Sequence, residues 1–99
     1  EVAAASILQR ALSLAPNDPR VHLGFANFHF ERGSLEAAQR SAQRAVALRP
    51  AGIAELLLLG QIHYKQGDRD LACTTFLEVL RLQPNQQKAQ HYVSLARCR

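Results

Sequence analysis

Pro16, Pro50 and Pro84 stand 34 residues apart, and so do Leu14, Leu48 and Leu82, and Ala4, Ala38 and Ala72. A period of 34 kept by helix-stopping, apolar and small positions together marks a stack of helical hairpins, each burying its apolar face on its neighbours. More columns share the phase: Phe25, Leu59 and Val93, followed by the small Ala26, Gly60 and Ser94; Leu12, Val46 and Leu80; and His29 with His63. Such a chain folds as a solenoid, and solenoids present extended surfaces rather than enclosed reaction chambers.

The residue types in each column carry a physical role. Antiparallel helices approach closely only where a side chain is near methyl size. Ala26 and Ala38 meet that need in one unit, and Gly60 and Ala72 in the next. Gly33 and Gly67 predict first-helix ends with positive φ. Ser34 and Asp68 after them are expected to cap the second helices. Pro50 and Pro84 stop the second helices, because proline lacks a donor and restricts the residue before it. Asp18 followed by Pro19 is a start signal. The spacing predicts helices over 2–15, 20–32, 35–49, 54–66, 69–83 and 87–98, with short loops that make sequential helices antiparallel neighbours.

The expected architecture is all-α: a superhelix of about six antiparallel helices in a single domain, 1–99. Residues 1–18 supply the second helix of a partial repeat, 19–52 and 53–86 are full repeats, and 87–99 the first helix of another partial repeat. This phase reads as a piece of a longer solenoid. Ile7, Leu8 and Leu12 at the front, with Tyr92, Val93 and Ala96 at the back, are then expected to be surfaces awaiting neighbours, or routes to homo-oligomers through exposed terminal helices.

Composition narrows the function classes. No segment approaches 18 consecutive apolar residues, so no membrane span is expected. The net charge of +4 comes from twelve Lys and Arg against eight Asp and Glu. Arg10, Arg40, Arg44 and Arg49 read as a solvated outer face, with attraction for an acidic protein, nucleic acid or anionic lipid as the lesser alternative. Cys73 and Cys98 lack metal-site spacing. Cys73 reads as a half-buried apolar filler and Cys98 could as easily be exposed; neither argues for a disulfide framework, which leans toward a reducing, cytoplasmic setting over a periplasmic one, or simply toward indifference.

With these columns in view, the segments FANFHFERGSLEAAQRSAQRAVALRP and LGQIHYKQGDRDLACTTFLEVLRLQP resemble tetratricopeptide (TPR) repeats. The second matches more fully: Leu59-Gly60, Tyr64, Gly67-Asp68, Ala72, Phe76, Leu80 and Pro84 carry the family's residue types. In the first, Ala42 replaces a large aromatic, and His29 and His63 stand where tyrosine is common. The resemblance implies a right-handed superhelix whose first helices line a groove for an extended peptide or a partner helix. By position, that groove comprises Arg20, Leu23, Asn27, Phe30, Leu57, Gln61, Tyr64, Lys65, Lys88 and His91, with Glu31, Ala54 and Leu95 alongside.

Two family subclasses are disfavoured. Of the residues that grip a terminal carboxylate in chaperone adaptors, only Asn27 and Lys88 are in place; Leu23, Leu58 and Tyr92 occupy the others. The asparagine ladder of the sugar-transferring members is replaced by Gly24, Leu58 and Tyr92. Nucleic acid is disfavoured as a partner, because the RNA-reading relatives have a period of 35 and no aromatic–basic stacking platform replaces theirs.

Candidate chemistry is sparse. Phosphate-binding glycine loops, nucleophile elbows and paired carboxylates are absent. His29 and His63 could approach across units, but zinc wants three or four convergent ligands. They read as packed rings with satisfied polar edges, and no metal or cofactor is expected. Glu31 and Lys65 could pair across units. Phe30 and Tyr64 are either groove anchors or packing between units. The expectation is a non-enzymatic protein-interaction module for a protein or peptide carrying acidic groups. The alternative is a structural spacer or self-association element within a larger scaffold, enzyme or export complex.

Overall fold

A computed structural model of the chain describes residues 2–98, and side chains from residue 5 onward. Glu1, Arg99 and the side chain of Ala4, the first member of its column, lie outside the described residues. Six helices are present among them: α1 (Val2–Leu14), α2 (Pro19–Glu31), α3 (Leu35–Leu48), α4 (Ile53–Lys65), α5 (Arg69–Leu82) and α6 (Gln87–Leu95). The chain forms an elongated body of 41 × 24 × 18 Å. The most extensive packing is within units, α2 on α3 and α4 on α5; α3 on α4 and α5 on α6 join the units.

Local chemistry sets the boundaries. Asp18 Oδ1 accepts the Arg20 N–H at 2.9 Å, and Pro19 occupies the first turn of α2. Gly33 and Gly67 take φ of 79° and 82°. Each closes the same double turn, with Ser34 N–H donating to His29 O and Gly33 N–H to Phe30 O, then Asp68 to His63 and Gly67 to Tyr64. Arg49 and Gln83, each before a proline, leave helical geometry with φ of −144° and −138°. Asp68 caps α5 by accepting the Leu71 N–H at 3.2 Å. Ser34 does not cap α3: its side chain makes no cap bond. Gln86, absent from the sequence expectation, caps α6 by accepting from Lys88 and Ala89 N–H at 2.7 and 3.1 Å.

The small-residue columns are the helix contacts. Ala26, Ala38 and Ala72 are fully buried and Gly60 is buried with them. One core cluster gathers Ala26, Ala38, Ala42, Leu58, Leu59 and Ile62 between α2, α3 and α4. The next gathers Leu56, Ala72, Phe76, Val79 and Ala89 between α4, α5 and α6, and Val46 packs against both. At the front, the Leu8 side chain reaches Gly24, where an added Cβ would lie 2.9 Å from its Cδ2.

Several expectations are corrected. Helix α6 ends at Leu95 rather than 98. Cys73 and Cys98 are joined in a disulfide, their Cα atoms 5.4 Å apart. Reading Cys98 as helical obscured this, since it sits instead beyond a turn that folds it back onto α5. Ala96 is 3 % exposed and awaits no neighbour. His63 is buried with Nδ1 unpartnered, so its polar edge is not satisfied. No ion pair joins Glu31 to Lys65 among the described residues; both stay solvated at helix ends.

Candidate peptide groove

Residues at helical spacing on α2 and α4 turn one face toward a common cleft. Leu23, Asn27, Phe30 and Glu31 come from α2, Ala54, Leu57, Leu58 and Gln61 from α4, and Lys88 from the first turn of α6. The cleft holds about 350 Å³. Its alignment follows from the i, i+4, i+7 spacing of each set.

Six of the ten sequence-predicted groove residues meet here: Leu23, Asn27, Phe30, Leu57, Gln61 and Lys88. Leu23 and Phe30 are half-buried against the first core cluster, and Leu57 against the second, so the apolar wall is backed by packed side chains. Leu58, assigned in the sequence to missing carboxylate-clamp and asparagine-ladder positions, lies 6 % exposed at the cleft. Its position four residues after Ala54 was the available signal. Asn27 Nδ2 donates to Leu23 O at 3.3 Å. Lys88 and Glu31 are exposed and put opposite charges on the rim.

The other four lie apart from this cleft. Arg20 is paired with Asp18 at 2.9 Å, which holds the Asp18 carboxyl below its usual range and the Arg20 guanidinium above its own. Lys65 is exposed in the last turn of α4, and His91 on α6 meets the Tyr92 ring edge-on at 5.5 Å. Tyr64 packs between units: its ring meets Tyr92 edge-on at 5.4 Å, and Tyr92 in turn stacks on Phe76 at 4.7 Å. Tyr64 also borders a second concavity, of about 320 Å³, shared with Gly67, Arg69, Leu95, Ala96 and Arg97.

The first turn of α4 carries a buried carboxylate that faces the α3–α4 loop. Glu55 is 1 % exposed, its Oε2 3.7 Å from Arg49 Nη1 and its Oε1 without a hydrogen-bond partner. It folds over Gly52, where a Cβ would collide with Oε1. On the outer surface, Arg81 donates to both Glu78 oxygens, at 2.9 and 2.6 Å, which lowers the Glu78 pKa. No group of three or more His, Cys, Asp or Glu among the described residues could hold a metal ion, and no helix there is long and apolar enough to cross a membrane. The arrangement offers apolar contact, amide hydrogen bonding and a cation.

Comparison with known proteins agrees with this fold. No curated protein matches the chain. The crystal structure of MamA superposes with a TM-score of 0.84 at 21 % identity, covering 90 % of this chain and 52 % of MamA, so the chain spans about half of that protein and shares its fold. The model of the Cilia and flagella-associated protein 70 middle TPR-like domain matches residues 1–96. The chain, an all-α tetratricopeptide-type solenoid, therefore belongs to the CFAP70 middle TPR-like domain family.

Proposed function

We propose that this domain is a non-enzymatic protein-interaction module that takes an extended peptide or a partner helix in the cleft between α2, α4 and α6. The observation that carries this reading is the convergence of Leu23, Phe30 and Leu57 with Asn27, Gln61 and Lys88 on one concavity. An apolar side chain of the partner would seat against Phe30 and Leu57. The amides of Asn27 and Gln61 would meet its backbone, and Lys88 would favour an acidic group beside it. Binding energy concentrates on aromatic and well-packed anchors, so Phe30 is the residue whose loss costs most.

Panning a random peptide library against the domain, and against Phe30→Ala and Lys88→Glu variants of unchanged helicity, tests the reading. Enrichment of apolar peptides bearing acidic residues, lost in both variants, supports it. Peptides retained equally by both variants place binding elsewhere.

A second reading, self-association within a larger scaffold, enzyme or export complex, is favoured by α1. Ile7 is 68 % and Leu14 81 % exposed, bordering a shallow groove of about 540 Å³ with Ser6, Arg10 and Ala11. Sedimentation over a hundredfold range of concentration distinguishes the two. Association abolished by Ile7→Lys and Leu14→Lys supports the second.

A further inference from the structure

Helices α2, α4 and α6 begin 34 residues apart, at Pro19, Ile53 and Gln87, but they do not end in phase. The first two run for 13 residues and α6 for nine, so α6 stops one turn early. Its end copies the double turn of the others: Cys98 N–H donates to Val93 O at 2.9 Å and Arg97 N–H to Ser94 O at 3.1 Å. The left-handed position, held by glycine in α2 and α4, is held here by Arg97 at φ 55°, a conformation that side chains with a Cβ disfavour. The local sequence does not ask for a stop. Leu95, Ala96 and Arg97 are among the best helix formers, and neither glycine nor proline follows Val93.

What holds the turn is a cross-link to α5. Gln39 and Cys73 occupy the same column, 34 residues apart, on α3 and α5. Gln39 Oε1 accepts from Gln66 Nε2 at 2.8 Å, tying α3 to the end of α4. At the next unit boundary Cys73 bonds Cys98, tying α5 to the end of α6. The same inter-unit tether is thus a hydrogen bond in one place and a covalent bond in the other. An α6 in phase would instead carry Cys98 in the helical column of Phe30 and Tyr64.

We propose that the Cys73–Cys98 bond is a thiol–disulfide clasp that sets the length of α6. Oxidised, the clasp ends α6 at Leu95. Reduced, it lets α6 wind through Arg97 toward the length of α2 and α4. The step is ordinary exchange with a dithiol: one thiolate attacks a sulfur of the pair to give a mixed disulfide, and the second displaces it. The bond accepts two electrons and two protons to give two cysteine thiols, and the reagent leaves as a cyclic disulfide. Both half-cystines are only half-buried, which leaves room for such exchange. Rewinding moves Leu95, Ala96 and Arg97, so the concavity they share with Tyr64 would exist in the oxidised form alone. This inference stands apart from the peptide-groove reading, whose cleft uses none of these residues.

The test is nuclear magnetic resonance of the isotope-labelled 99-residue chain, air-oxidised, treated with dithiothreitol, and as the Cys73→Ser/Cys98→Ser variant. Expected is a left-handed Cα shift at Arg97 in the oxidised chain and a downfield move into the helical range in both reduced forms, with Phe76 and Tyr92 still in contact. An Arg97→Gly variant, which suits the turn without the bond, should keep the short α6 when reduced. Thiols that remain free after air oxidation would overturn the proposal. So would an Arg97 shift unchanged on reduction, a random-coil shift there, or loss of the Phe76–Tyr92 contact showing general unfolding.

Discussion

The ring of Phe76 occupies the space that a methyl group on Gly60 would need, its Cζ 2.7 Å from that point and two further ring carbons within 2.9 Å. The ring cannot retreat freely, because its far face stacks on Tyr92 at 4.7 Å with planes 4° apart. Gly60 therefore admits the aromatic that knits α4, α5 and α6 together.

Gly60→Ala should consequently lower stability. Overpacking of this kind costs about 1–3 kcal/mol, offset by roughly 1 kcal/mol of improved helix propensity. A melting temperature lower by roughly 4–8 °C per kcal/mol lost is the expected readout. Gly60→Ala with Phe76→Leu should recover part of the loss. Differential scanning calorimetry of the parent and the two variants checks this, and a Gly60→Ala variant as stable as the parent would contradict the packing argument.

The junction of α3 and α4 should respond to changes at three residues in different ways. Gly52→Ala drives a Cβ into Glu55 Oε1 and displaces a buried carboxylate. Arg49→Ala removes the cation nearest that carboxylate. Because Arg49 is 62 % exposed and the pair is separated by 3.7 Å, the expected cost is about 1–2 kcal/mol, below that of a fully buried pair. Glu55→Gln, which removes the buried charge at constant shape, should be the mildest of the three. Urea unfolding midpoints give the order.

Acid should weaken the start of α2. The Arg20 side chain and backbone N–H hold the Asp18 carboxyl below its ordinary value when folded. The stabilisation is therefore complete above that value and is lost as pH falls through the folded pKa. Asp18→Asn keeps an acceptor for the Arg20 N–H and should flatten the acid limb of the melting profile. Asp18→Ala should lower the melting temperature at neutral pH as well. Thermal melts from pH 2.5 to 7 resolve the two.

If an acidic peptide seats beside Lys88, raising the salt from 50 to 500 mM should weaken it, and Lys88→Gln should remove most of that dependence. Phe30→Ala should weaken the same peptide roughly tenfold or more at either salt. Fluorescence anisotropy with a peptide from the library measures both slopes.

The hairpin stack was legible because each repeat position has a steric or hydrogen-bonding cause that recurs. Glycine at 33 and 67, proline at 50 and 84, and small residues at 26, 38, 60 and 72 each act within a few residues or across one helix contact. The cleft was legible to the extent that it repeats. Leu23, Phe30, Leu57 and Gln61 follow from helix phase. Tyr64 departs from Phe30 in the same column because Tyr92, unmatched in earlier units, takes its ring edge. The disulfide was illegible for the same reason. Periodicity predicts that α6 repeats α4, and the bond exists where α6 does not. Buried Glu55 depends on Gly52 and Arg49, a local fit between the first turn of α4 and the loop before it that no column reports.

The matching of small to large has a consequence for how such arrays can be rebuilt. Gly60 faces Phe76 inside one hairpin, while the corresponding positions of the other hairpin are Ala26 and Ala42, two methyl groups in place of a hydrogen and a ring. Each hairpin matches small to large in its own way. Recombination at the prolines would transplant a finished solution, whereas a crossover at Gly33 or Gly67 would set Ala26 against Phe76 or leave Gly60 facing Ala42, a collision in one hybrid and a hole in the other.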